Sequence, residues 1–151
     1  MGLDSYLYKK TFIWSGDWMD EGQKMEVTVK KGGAVDTSIK SKRIKYVVEE
    51  MGYWRKANHI HNWFVDNVQD GADNCGEFYV DRNDLKNLLE ACQRVLINPS
   101  EAKELLPTAS GFFFGGTDYD EYYFDSVKET ISILEECLLD EEAYFYYTSS
   151  W

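Results

Sequence analysis

At Lys56 the apolar period of this chain changes from two to about 3.6, with no linker between the patterns, and that junction limits the available folds. Upstream, residues 43–54 alternate as a strand does, with Ile44, Tyr46, Val48 and Met51 as the apolar members. Downstream, a helix over residues 56–68 would align Ala57, Ile60, His61, Phe64 and Val68 as its core stripe. Alternation recurs at residues 4–14, where Tyr6, Tyr8 and Phe12 are set against Leu7, Lys9 and Ile13, and again at Met25–Lys30 and Glu77–Val80. Residues 143–148 are rich in β-formers and are expected to return to the sheet. Residues 15–24, 31–33 and 70–74 carry the Gly, Asp and Asn of loops and turns.

The helical patterns fall in the second half. Asp81 can cap a helix with Asp84 in its first turn and Leu85, Leu88, Leu89, Cys92, Val95 and Leu96 on its apolar face. Asn98, Pro99 and Glu101 open a short helix that Pro107 ends. Asp118, with Glu121 at the capping-box position, is expected to start the longest helix, striped by Tyr123, Val127, Ile131, Leu134 and Leu138. Strands first, then helices with strands between them, give an α+β fold: a mostly antiparallel sheet with about three to four helices packed on one face. Residues 1–151 read as a single domain.

Charge narrows the function. Residues 1–56 hold 11 Lys/Arg against 8 Asp/Glu, a net of +3, and residues 57–151 hold 5 against 19, a net of −14. Such acidity repels nucleic-acid phosphate, so no broad nucleic-acid binding is expected. Three widely spaced cysteines without a CxxC pair make a poor disulfide framework. Asp4, Lys9 and Lys10 break any signal-peptide run, and no stretch is long and apolar enough for a membrane span. These features together suggest a reduced cytoplasmic protein, with no cofactor, no metal and no membrane partner.

The thirteen residues from Gly52 to Phe64 hold two cations, both histidines, two amides and four aromatic rings. With the helix starting near Lys56, Arg55 and Lys56 lie where free backbone N–H groups and the dipole favour an anion, and Asn58, His59 and Trp63 follow. Arg matches phosphate with a planar fork, and Tyr53, Trp54 and Trp63 offer faces for a nucleobase. His61 falls on the apolar stripe and reads as a core histidine satisfied by a hydrogen bond. A second block runs from Thr108 to Thr117, three phenylalanines between glycines: Ser110, Gly111, Phe112, Phe114 and Thr117 form a possible anion cradle, with Tyr119 and Tyr122 just beyond. It lacks the Gly-Lys-Ser/Thr ending of a P-loop, and Phe113 reads as core. The acidic groups at Asp66, Asp70, Asp73, Asn74 and Glu77 lack calcium-loop spacing and read as a solvated turn.

Three stretches carry a family resemblance: residues 1–8, beginning Met1-Gly2-Leu3-Asp4; Tyr53-Trp54-Arg55-Lys56-Ala57-Asn58 with His61 and Trp63; and Leu105-Leu106-Pro107-Thr108 leading into Ser110-Gly111-Phe112-Phe113-Phe114-Gly115 and Tyr119-Asp120. In these the chain resembles a family of small bacteriophage and prophage proteins, over nearly its whole length. The resemblance implies a phage setting and an infected or lysogenic bacterial host; it brings no activity with it. The resulting expectation is a homo-oligomeric, non-catalytic binder of a nucleotide-like anionic aromatic ligand, sequestering a host-defence second messenger, with both blocks walling one hollow. Loss of binding on Arg55→Ala would mark it. One alternative is an enzyme that cleaves such a ligand with His59 as general acid or base. Another is an acidic protein-interaction inhibitor or DNA mimic working through the Asp118–Glu142 face.

Overall fold

The computed structural model describes residues 2–111 and 113–151. Its strands are β1 (Asp4–Phe12), β2 (Lys30–Lys31), β3 (Ala34–Val35), β4 (Tyr46–Arg55), β5 (Glu77–Val80) and β6 (Tyr144–Ser150). Its helices are α1 (Asn58–Asn67), α2 (Arg82–Ile97), α3 (Ala102–Leu105) and α4 (Glu121–Cys137). Four strands form an antiparallel sheet in the order β4-β1-β6-β5, and β2 and β3 make a separate hairpin. The fold is α+β, as the order of sequence patterns predicts.

One face of the sheet packs against helices. It presents Ser5 and Leu7 from β1, Gly52 and Trp54 from β4, Phe145 and Tyr147 from β6, and Val80 from β5, all buried. The Phe64 ring of α1 stacks on Tyr147 with centroids 3.9 Å apart and planes 9° from parallel. From β4, the Trp54 indole N–H donates to Thr130 Oγ1 of α4 at 2.8 Å. Gly52 permits this close approach: a Cβ there would meet the Trp54 ring at 2.9 Å and Ile133 Cγ2 at 3.0 Å. Gly52→Ala is therefore expected to lower stability by about 1–3 kcal/mol, the usual cost of overpacking. Urea denaturation checks this, and an unchanged midpoint would mean that α4 yields without cost.

Three expectations are corrected. Met25–Lys30 alternates but is not a strand; only Lys30 and Lys31 pair, with Val35 and Ala34, across a turn made by Gly32 and Gly33 at positive φ. The longest helix is capped by Asp120, not Asp118. Asp120 accepts the Tyr123 N–H at 3.1 Å, and the helix begins at Glu121. The chain also leaves β4 by a left-handed residue, Lys56 at φ 54°, whose N–H donates to the Leu3 carbonyl at 2.7 Å. Helix α1 therefore starts at Asn58, and Arg55 belongs to the strand.

The α2 start follows the sequence closely. Asp81 accepts from the Asn83 N–H at 2.8 Å, and Asp84 accepts from the Asp81 N–H at 3.2 Å. Glu49 and Glu50 stand exposed on β4, an outer strand of the sheet. No helix among the described residues is long and apolar enough to cross a membrane.

Candidate functional site

The two aromatic blocks meet, and Asn58 joins them. Its side-chain amide donates to the Phe114 carbonyl at 3.0 Å and the Gly116 carbonyl at 2.8 Å, while Oδ1 accepts the Ala109 N–H at 3.0 Å. The side chain is 1% exposed. Thus Asn58 pins the 108–117 loop and has nothing left for a ligand. Leu3 adds an N–H to the Phe113 carbonyl, and Thr108 Oγ1 donates to the Thr117 carbonyl. Gly115 lies at φ 88°, against Lys56, where a Cβ would meet the Lys56 carbonyl at 3.2 Å.

The hollow at this junction is about 120 Å³, lined by Lys56, Asn58, His59, Thr108, Gly116, Asp118, Asp120, Tyr122 and Tyr123. Small-molecule sites run to roughly 300–1,000 Å³. Two carboxylates on its wall also oppose an anion.

The remaining sequence-selected residues are distributed as follows. Trp54 and Trp63 are core side chains rather than stacking faces, 2% and 9% exposed, because both indoles complete the packing around Phe64. Arg55 is bound to Asp4 at 3.0 Å and 3.3 Å, and Tyr53 donates its hydroxyl to the same carboxylate at 2.6 Å. The Asp4 carboxyl is held below its usual range, first by the Tyr53 hydroxyl and then by Arg55. Tyr122 donates to the Arg55 carbonyl. Tyr119 accepts the Thr108 N–H at 3.2 Å and sets its ring edge-on to Tyr123. Phe114 packs its ring edge-on to His61 and near Trp151. Ser110, Gly111 and Thr117 are exposed on the loop, and Phe112 lies outside the described residues.

Neither histidine faces solvent. His59 is 3% exposed with Nε2 2.7 Å from Ser126 Oγ, which itself donates to the Tyr123 carbonyl at 2.7 Å. That leaves the hydroxyl oxygen to accept the imidazole N–H. Burial pushes the His59 pKa down to about 4, so the ring is neutral at pH 7. His61 is 1% exposed, with Nδ1 2.7 Å from the Tyr147 hydroxyl and Nε2 3.0 Å from Asp73 Oδ1, which also accepts the Trp151 indole N–H. It is the hydrogen-bonded core histidine that the sequence pattern predicts. Cys92 and Cys137 are buried with thiol pKa values pushed up to about 12, which removes thiolate chemistry near neutrality.

A different surface carries the exposed aromatic groups. Opposite residues in an antiparallel pair share a face. By register Tyr6 lies beside Tyr53, Phe12 beside Tyr46, Lys10 beside Val48 and Tyr144, and Tyr8 beside Glu50 and Tyr146, which in turn lies beside Tyr79. All of these side chains stand on the face that no helix among the described residues covers. Tyr46, Tyr53, Tyr79, Tyr144 and the adjoining Trp14 are each more than 40% exposed. The rings touch: Phe12 meets Tyr46 at 5.3 Å and Trp14 at 4.8 Å, and Tyr79 meets Tyr144 and Tyr146. Lys10 Nζ sits 5.1 Å from the Tyr46 centroid and 5.2 Å from that of Tyr146. Among the described residues no carboxylate pairs with Lys10, whereas Lys9, on the other face, is tied to Asp140 at 2.9 Å. An open hollow of about 460 Å³ is lined by Lys10, Phe12, Trp14, Tyr46, Tyr144 and Tyr146.

Of the sequence-selected residues Tyr53 lies on this platform, and Arg55, two residues on, stands on the same face in its pair with Asp4. The signal available in the sequence was the run Tyr6, Tyr8, Lys10, Phe12 at period two, matched by Tyr144 and Tyr146 at the other end of the chain. No family model, no curated protein and no solved structure matches this chain.

Proposed function

We propose that this protein binds a nucleotide-like anionic aromatic ligand without turnover, and that the ligand occupies the hollow around Lys10 rather than the Asn58 junction. The observation that carries the reading is an ammonium, paired with no carboxylate among the described residues, set between tyrosine rings in an open hollow of about 460 Å³. That volume lies in the range of small-molecule sites. Exposed rings give sequence-tolerant stacking for a base, and the ammonium supplies the counter-charge. His59, the candidate acid or base, is neutral and enclosed at the junction, away from Lys10, so no observation favours cleavage. In the phage setting that the sequence resemblance suggests, such a protein would hold a nucleotide signal of host defence out of circulation.

The test is titration with adenosine monophosphate, followed by amide NMR shifts and by the phosphorus spectrum of the ligand. Shifts are expected on β1, β4 and β6 around Lys10, Tyr46 and Tyr146, with the nucleotide recovered intact. Lys10→Ala should weaken binding at least tenfold, roughly the value of one desolvated cation–π or charge contact. Shifts confined to Lys56–His59 and Thr108–Gly116, or no shifts at all, would overturn the placement. The expected homo-oligomer belongs to the same measurement. A doubled sedimenting mass that Tyr46→Ala and Tyr146→Ala reduce to one chain would make a second copy the occupant of this face.

A further inference from the structure

The strand that carries Lys10 also carries a second aromatic group, bordered by Glu50, Glu77 and the Asp4–Arg55 ion pair that holds the Tyr53 hydroxyl. Tyr6 and Tyr8 stand on the same face with rings 5.8 Å apart and 5° from parallel, and Tyr53 closes against Tyr6 at 5.3 Å. Tyr8 is two residues from Lys10, about 7 Å along the strand, and Phe12 is the same distance beyond. The platform therefore reads ring, cation, ring along one line. Glu50 and Glu77 flank the Tyr6–Tyr8 group by register, and both raise the Tyr8 hydroxyl pKa after burial does.

We infer that the ligand is two nucleobases joined by a single phosphodiester. This rests on the placement of the ligand around Lys10. One base lies on the Phe12–Tyr46–Trp14 side, the other on the Tyr6–Tyr8–Tyr53 side, and the phosphate is at the Lys10 ammonium between them. One ammonium matches the single charge of a phosphodiester, whereas a terminal phosphate carries nearly two charges. The two glutamates add repulsion for every further charge, so a triphosphate is disfavoured.

The experiment compares three probes on the same protein: adenylyl-3′,5′-adenosine, adenosine monophosphate and adenosine triphosphate. The dinucleoside monophosphate is expected to bind at least tenfold more tightly than the mononucleotide, the value of one more stacked base. The triphosphate is expected to bind more weakly than the monophosphate. Tyr8→Ser should shrink the ratio of the first two affinities towards one, and Tyr53→Ala, at the exposed edge, should do the same if Tyr8→Ser fails to fold. Equal affinities for the first two probes would overturn the two-base inference while leaving the Lys10 hollow in place. Binding of neither probe would overturn both. A triphosphate that binds most tightly would refute the charge argument.

Discussion

Asn58→Ala is expected to destabilise the protein by about 3 kcal/mol, since three part-buried hydrogen bonds at roughly 1 kcal/mol each are lost together. For a chain of this size that corresponds to a fall in Tm of about 6–12 °C. The substitution orphans two carbonyls and an N–H, because the amide is the group that matches both polarities of the loop. Asn58→Asp separates the roles. It keeps the acceptor for the Ala109 N–H but turns a carboxylate oxygen towards the carbonyls of Phe114 and Gly116, so it should cost more than alanine. Thermal unfolding gives the magnitude, and protease cleavage confined to residues 109–117 gives the location. A loss below about 0.5 kcal/mol would mean that the Leu3 and Thr108 bonds hold the loop without it. Because Lys10 stands on the opposite face of the sheet, nucleotide binding by the folded fraction should be unaffected. The Asn58 and Lys10 variants thereby divide structure from function.

The second large effect is acid lability from His59. Its folded pKa is about 4, against 6.5 for the free side chain. Above pH 6.5 the ring is neutral in both states and the folded state keeps its full stability. Between 6.5 and 4 the unfolded chain takes up a proton that the folded protein refuses, so stability falls as the pH falls. The loss reaches about 2 kcal/mol by pH 5 and about 3 kcal/mol by pH 4. Asp4 and Asp140, whose pKa values are depressed by their cationic and hydroxyl partners, lose stability at still lower pH. Urea denaturation at pH 7.5 and pH 5 isolates the histidine: the wild-type midpoint should drop, and His59→Gln should flatten the dependence despite its lower starting value. A wild-type curve that is level over this interval would show that the imidazole does not lose its proton on burial.

Local structure was readable where the cause was local. Asp81 and Asp84 specify a helix start because both partners lie within one turn, and Gly32-Gly33 specifies a turn because few residues adopt positive φ. Met25–Lys30 misled because alternation states which side of a strand is apolar, not whether a neighbour exists to pair with it. The Gly52–Phe64 block was legible as unusual, but its meaning was not. Trp54, Asn58, His59 and Trp63 are polar-edged groups that the core satisfies through Thr130, the 109–116 backbone, Ser126 and packing, and those partners lie 50 or more residues away for the first three. The tyrosine platform was hidden for the same reason. Tyr6, Tyr46, Tyr79 and Tyr146 share a face only through register between strands distant in the chain.

The outer strand β4 has one further consequence. An uncovered strand edge invites a neighbour to add on by backbone pairing, and a platform of exposed rings would make such addition indefinite. Glu49 and Glu50 stand near the midpoint of β4 and point to opposite faces, so two copies aligned antiparallel there would oppose a pair of carboxylates on each face. Glu50, which also restricts ligand charge, and Glu49 on the other face thus act as gatekeepers against ribbon growth, letting a sticky surface stay open to small molecules while the sheet itself remains finite.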